Sequence, residues 1–274
     1  MNEPERIVIE ADKPSSHYWK DLWRFRELLL FLAWRDIVVR YKQTVLGIAW
    51  AVIRPLLTMI IFVFIFGKVA RLPSGGVPYP ILVFTGMLQW QFFANALTES
   101  SNSLIGSTNL ITKVYFPRLL IPMSAVVVCF VDFLISYLIL IALFFWYSFL
   151  PSGMLFLSLV FSVLTFLLAI GTGLWFAALN VRYRDFRYVV PFVVQIGLYV
   201  SPVGFSGNVI PGKYQLVYSL NPMVGIIEGF RWSMFEKQPF PLESCGMSFL
   251  ITVVFLLGGI RYFRKTERYF SDII

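Results

Sequence analysis

The stretch Leu32–Pro55, LAWRDIVVRYKQTVLGIAWAVIRP, sets Arg35, Arg40 and Lys42 against an apolar run and then places Arg54 inside that run, beside Pro55. Read as a single membrane-crossing helix, it would carry its charges into hydrocarbon, where each costs ~2.5 kcal/mol or more at the bilayer centre. Read as two elements, it is a basic helix at the headgroups through about Lys42, a turn around Gln43–Gly47, and a span entering the membrane from there. The second reading relieves Arg35, Arg40 and Lys42, because they never leave the interface. Arg54 lies about two turns into the span. From there its stem can snorkel back to the headgroups or its charge can face a water-filled mouth.

The rest of the chain supports a membrane reading. Of its 274 residues, 58% are hydrophobic, 18% aromatic and only 14% charged, where soluble domains carry roughly 45–50% apolar and about 25% charged residues. The net charge of +8 therefore speaks first of topology and anionic lipid, and no nucleic-acid partner is expected. Cys129 lies inside an apolar run and Cys245 at the start of another, which gives neither a disulfide framework nor a metal spacing. His17, the single histidine, sits in the polar N-terminal arm, and no signal peptide is visible there.

A helix crossing the ~30 Å hydrocarbon core needs about 20 mostly apolar residues. Six segments qualify, at about 45–69, 80–104, 119–149, 154–179, 189–203 and 247–262. Gln89, Gln91, Asn95 and Glu99 interrupt the second; the fifth and sixth are short, and Pro191 and Pro202 break up the fifth. The third, at 31 residues, would measure ~46 Å as one helix and must tilt or protrude. Lysines and arginines divide sharply between the two sides. With six spans, residues 1–54, the connections 106–118 and 180–188, and the C-terminus hold 18 of them, against five elsewhere (Lys68, Arg71, Lys213, Arg231, Lys237). The split places both termini in the cytoplasm. Four spans would also keep both ends inside, but would leave a very apolar stretch unaccounted for. The expected fold is all-α and integral to the membrane, with residues 1–43 as an N-terminal arm and interface helix and 44–274 as the six-span membrane domain.

Residues 206–240 form neither a clean span nor a polar loop. Pro211-Gly212 and Asn221-Pro222 are turn and helix-start signals, Asn221 serving as N-cap with Pro222 at the first helical position. The helix that follows, Met223–Phe235, carries Glu228 and Arg231 at i,i+3 and is too short to cross. It is read as re-entrant, closing the end of a pathway, or as interfacial; non-helical backbone at that depth must be buried in protein or line a wet cavity. Asp132, in the third span, is most simply an interhelix hydrogen-bonding group. The sequence lacks a G-x-x-x-x-G-K-[ST] loop, a catalytic His or Cys cluster and an acidic relay within its spans, so energy for active transport would come from another subunit.

The segment LLLFLAWRDIVVRYKQTVLGIAWAVIRPLLTM (28–59) closely resembles the start of the permease subunits of ABC exporters for polysaccharide, which move O-antigen, capsule or teichoic acid chains. Further similarity runs through VFTGMLQWQFFANALTESSNSLIGSTNLITKVYFPRLLIP (83–122), ALNVRYRDFRYVVPFVVQIGLYVSPVGF (178–205) and YSLNPMVGIIEGFRW (218–232), in family order. The resemblance implies a six-span homodimer in the bacterial inner membrane, bound to two copies of a separate ATPase that holds ATP and Mg, with this chain binding no cofactor and catalysing nothing. It implies an amphipathic interface helix at about Trp19–Tyr41 and an ATPase-coupling segment at 106–118, with Asn109, Lys113, Tyr115, Phe116 and Arg118 joined by Arg35 and Arg40. It implies that Trp50, Arg54, Phe62 and Tyr199 line a polymer pathway, and that Pro211, Asn221, Pro222, Glu228 and Arg231 build a periplasmic gate for a lipid-linked polysaccharide. On a helical wheel Lys20, Arg24, Glu27, Arg35 and Lys42 share one stripe opposite Leu22, Leu29 and Ala33, while Arg26, Arg40 and Phe31 spoil the pattern.

Three other classes compete: an exporter permease for a drug, haem or small lipid, an ion-coupled secondary transporter, and a membrane-embedded transferase. The absent relay and catalytic cluster count against the last two. Arg54 is tested by paired substitution. If it is a snorkelling anchor, Arg54→Lys retains export and only Arg54→Ala loses it; loss in both places it on the pathway.

Overall fold

The computed structural model describes residues 18–42, 47–237 and 239–270. Of the expected turn at Gln43–Gly47, residues 43–46 lie outside the described residues, as does the polar arm before Tyr18, and Gly47 already opens a helix. All the regular structure described is helical. Helices α1 (Tyr18–Arg24) and α2 (Arg26–Lys42) occupy the expected interface segment, interrupted for one residue at Phe25, although backbone bonds from Phe25 N to Asp21 O (2.9 Å) and from Leu28 N to Phe25 O (3.0 Å) carry the chain across. Helix α3 (Gly47–Phe62) contains Pro55 and widens beyond Phe62 into i→i+5 turns over Val63–Val69. Then come α4 (Tyr79–Gly106), α5 (Thr108–Lys113), α6 (Leu120–Trp146), α7 (Ser158–Arg182), α8 (Phe186–Val200), α9 (Gly212–Tyr218), α10 (Pro222–Phe235) and α11 (Leu242–Thr266).

Four helical segments among the described residues are long and apolar enough to cross a membrane: Ala49–Val69, Leu120–Trp146, Leu155–Arg182 and Leu242–Tyr269. The last is longer than the 247–262 expected from sequence. Its middle alone is strongly apolar, while Glu243 and Ser244 at one end and Arg264 and Lys265 at the other extend the helix past the hydrophobic stretch. Helix α4 has 28 residues, enough for ~42 Å, but carries the polar interruptions noted above. Helix α8 has 15 residues, which at ~22 Å falls short of a bilayer. Pro202 sets its limit: the helix stops at Val200, two residues before the proline, as the disfavoured α conformation ahead of a proline requires.

Helix α4 is the hub, packing against α3, α6, α7, α8 and α10. That position accounts for Gln89. Gln89 is completely buried, accepting from Thr165 Oγ1 at 2.6 Å and donating to Ser162 Oγ at 3.3 Å, so the side chain that weakens the hydropathy of α4 ties it to α7. Around it an aromatic cluster of Phe92, Phe130, Phe133 and Phe166 joins α4, α6 and α7. Helices α7 and α11 approach through small residues, the usual device where lipid supplies no hydrophobic drive between helices. A β-carbon on Gly171 would lie 2.6 Å from the Leu256 nitrogen, and one turn on Trp175 and Tyr262 stack at 4.9 Å. Gly171→Leu should force α7 and α11 apart at a cost of ~1–3 kcal/mol or more. A fall in the thermal unfolding midpoint in detergent, larger than for Gly246→Leu at an open site, checks it.

Candidate coupling surface, pathway and gate

The two ends of α4 carry two different polar constructions. At its N-terminal end, the chain leaving α8 runs without helix through Ser201–Phe205, and Ser201, Pro202, Val203 and Gly204 are all buried. Backbone in this setting must find its partners within the protein. The Arg231 guanidinium of α10 supplies two of them and reaches α4 as well. Its Nη1 donates to the Phe205 carbonyl (2.8 Å) and its Nη2 to those of Val203 (2.9 Å) and Leu82 (2.9 Å), while Nε reaches Thr85 Oγ1 at 3.4 Å. Tyr79 donates to the Gly204 carbonyl at 2.6 Å. The Glu228 carboxylate, one turn from Arg231, pairs with it at 3.2 Å and accepts the Gly207 amide at 2.9 Å. Asn221 caps α10 by accepting from Met223 N (3.0 Å) and donates to Ser201 Oγ (2.9 Å), with Pro222 at the first helical position as the sequence indicated.

Arginine suits this place because its planar fork serves several carbonyls at once and stays charged. Gly86 makes room for it: a β-carbon there would lie 2.6 Å from Arg231 Nη2 and 2.8 Å from the Val203 oxygen. Of the residues read as a gate, Asn221, Pro222, Glu228 and Arg231 therefore come together in one cluster. Pro211 does not join it; it stands exposed ahead of α9, whose Tyr214, Leu216 and Val217 are also exposed.

At the other end of α4, α5 and the chain to Leu119 form a short projection. Asn109, Lys113 and Tyr115 are exposed on it, with Val114. Phe116 is turned inward, 4% exposed, and seats the projection on the core instead of facing out. The Arg118 amide donates to Glu267 Oε1 at 2.7 Å and its guanidinium to the Glu267 carbonyl. Tyr18 donates to Glu267 Oε2 at 3.0 Å, and the Arg264 guanidinium lies 4.5 Å from the centre of the Tyr18 ring. Burial first, then Glu267, pushes the Tyr18 phenol up, so its hydroxyl stays protonated and donates.

Arg35 pairs with its neighbour Asp36 at 2.7 Å on the exposed side of α2. Arg40 instead points into the protein, with Nη1 2.5 Å from Asp132 of α6 and Nη2 3.4 Å from Glu99 of α4. Tyr41 also donates to Asp132, and burial, with that hydrogen bond next, pushes its phenol up. Asp132 is thus an interhelix group, as expected, and its partner is the interface helix. The expected pathway residues sit on helices that both pack on α4. Trp50 (55% exposed) and Arg54 lie on the open face of α3, and Phe62 is half-buried against Phe66 at 5.4 Å. Tyr199 (66% exposed) continues a stripe on α8 with Tyr188, Phe192 and Ile196 at helical spacing. Only Val190 of that helix is buried.

Sequence reasoning missed Tyr18, Glu267, Thr85 and Gly86. No local pattern sets Glu267 apart from the charges around it, or Gly86 apart from the other glycines of apolar helices.

A family model described as ABC-2 type transporter matches residues 27–235, from α2 through α10. The chain belongs to the ABC-2 type transporter family. Among similar proteins, the O-antigen export system permease protein RfbA of Klebsiella pneumoniae is 29% identical over 253 residues, covering 90% of this chain and 95% of the relative. RfbA of Myxococcus xanthus is 28% identical over 261 residues, covering 93% and 98%. The polysialic acid transport protein KpsM of Escherichia coli is 24% identical over 244 residues, covering 87% and 92%.

Within this ABC-2 chain, Arg231→Met should leave the Val203 and Phe205 carbonyls without their donor and Glu228 without its cation, while the Leu82 carbonyl keeps the Thr85 hydroxyl. Breaking such a buried pair costs ~3–5 kcal/mol, and Arg231→Lys should recover only part, having one point charge for several acceptors. Thermal unfolding in detergent should rank wild type above Lys, and Lys above Met.

Proposed function

We propose that this chain is the membrane-spanning subunit of an ATP-driven exporter that moves a lipid-linked polysaccharide of O-antigen type across the bacterial inner membrane. The observation that carries the reading is similarity over nine-tenths of the chain to permeases named for O-antigen export. A drug, haem or small-lipid exporter would not be expected to find its relatives among O-antigen and polysialic acid proteins.

In this reading six spans cross the membrane, with both termini in the cytoplasm. To the four long apolar segments are added α4 and the unit made of α8 with Ser201–Phe205. The asymmetric distribution of cations supports that topology. Two copies assemble, with the exposed faces of α3 and α8 turned toward each other so that Trp50, Arg54, Phe62 and Tyr199 border the polymer. Aromatic faces along such a path could stack on sugar rings and leave hydroxyls hydrated. The energy comes from two copies of a separate ATPase, which bind ATP and Mg; this chain catalyses no reaction. The partner docks on the projection carrying Asn109, Lys113 and Tyr115, with Phe116, Arg118 and Arg40 holding that surface in place and Arg35 beside it. The 201–235 region, pinned by Glu228, Arg231, Asn221 and Pro222, closes the outer end, with Pro211 at its exposed rim.

Coexpressed with an ATPase subunit of a polysaccharide exporter, the full chain should co-purify as a complex of two permeases and two ATPases, read by mass photometry. A stable monomer that binds no ATPase would contradict the reading.

A further inference from the structure

Three segments far apart in the chain meet at Glu267. Its two carboxylate oxygens accept from the Arg118 amide (2.7 Å) and the Tyr18 hydroxyl (3.0 Å), and its carbonyl accepts from the Arg118 guanidinium. Arg118 ends the projection that follows α4, Tyr18 opens the interface helix, and Glu267 directly follows α11. Arg264, one turn earlier, covers the rings of Tyr18 (4.5 Å) and Trp19 (5.8 Å), so the contact on α1 has an electrostatic as well as a hydrogen-bonded part.

We infer that Glu267 is a positioning residue that locks the projection Ser107–Leu119 and helix α1 to the end of α11, so that displacement of the projection is passed to the last span instead of being absorbed locally. The inference rests on the proposed reading of that projection as the ATPase dock. The geometry favours transmission because the bond to Arg118 is made on the main chain. A push on the exposed Lys113–Tyr115 side reaches Glu267 through a few residues of backbone, with buried Phe116 and Pro117 preventing the loop from folding aside. Shape alone would be kept by packing; the amide-to-carboxylate bond adds a fixed distance between two elements.

Glu267→Ala and Glu267→Gln test this in two measurements. In the full chain alone in nanodiscs, Glu267→Ala should raise amide hydrogen exchange at residues 18–24 and 116–120 together, leaving 222–235 unchanged. Protection unaltered at either segment would overturn the inference, whether or not any ATPase binds. In the complex with the ATPase, Glu267→Ala should lower polymer export about tenfold while ATP hydrolysis and the recovered complex stay within about twofold of wild type. Glu267→Gln, which retains an acceptor for the Arg118 amide, should restore most of the export. Export and hydrolysis falling in parallel with recovered complex would overturn the inference in favour of a merely structural role, as would normal export by Glu267→Ala. Failure of the wild-type chain to bind an ATPase would sink the proposed function, leaving the exchange result to decide the role of Glu267.

Discussion

A guanidinium buried against main-chain carbonyls holds one half of this molecule together. Helix α8 ends too early to cross a bilayer, and the chain that follows it is buried without being helical. In hydrocarbon, an unpaired carbonyl costs several kcal/mol. Arg231 turns that liability into structure by serving Val203 and Phe205 on the irregular segment and Leu82 on α4 at the same time. Glu228 neutralises its charge and extends the network to Gly207. The capped start of α10, through Ser201, and the Tyr79–Gly204 bond fasten the same buried segment.

The opposite end of α4 is organised by carboxylates. Asp132 and Glu99 receive Arg40 from α2, and Glu267 receives Arg118 and Tyr18. Each of these contacts joins elements far apart in the chain. The long helix between the two constructions spans roughly the thickness of a bilayer and is packed on most sides. That makes α4 a strut between the two constructions; it does not by itself make a pathway. The open faces of α3 and α8 supply candidate walls, and their aromatic stripe suits either lipid or a second copy around a polymer.

Much of this was legible in the sequence, for definable reasons. Hydrophobic runs located α3, α6, α7 and α11, because apolar length is the first requirement of a membrane helix. Proline placed one boundary well, Pro222 at the start of α10; Pro202 and Pro191 both read as interruptions of a span at 189–203, whereas α8 ends two residues before Pro202 and carries Pro191 inside it. The turn chemistry at Asn221 was read correctly down to the cap. Less legible was whatever depends on a distant partner. Gln89 and Glu99 read as interruptions of a weak span, whereas one bonds Thr165 and the other meets Arg40. Arg40 read as a coupling residue, yet its guanidinium is directed at Asp132, 92 positions along the chain. Glu267 lies 149 positions from Arg118 and 249 from Tyr18, and no local pattern announces such a junction. Periodicity records which face a residue occupies; it is silent on which side chain stands opposite.

The central claim is that this chain carries a lipid-linked glycan outward through the inner membrane. It is tested most directly by deleting the chain from its cell and locating the glycan by fractionation and protease-independent surface labelling. The account expects full-length lipid-linked polymer to accumulate on the cytoplasmic side and to return to the surface when the chain is restored. Unchanged surface polymer, with no internal accumulation, would contradict it.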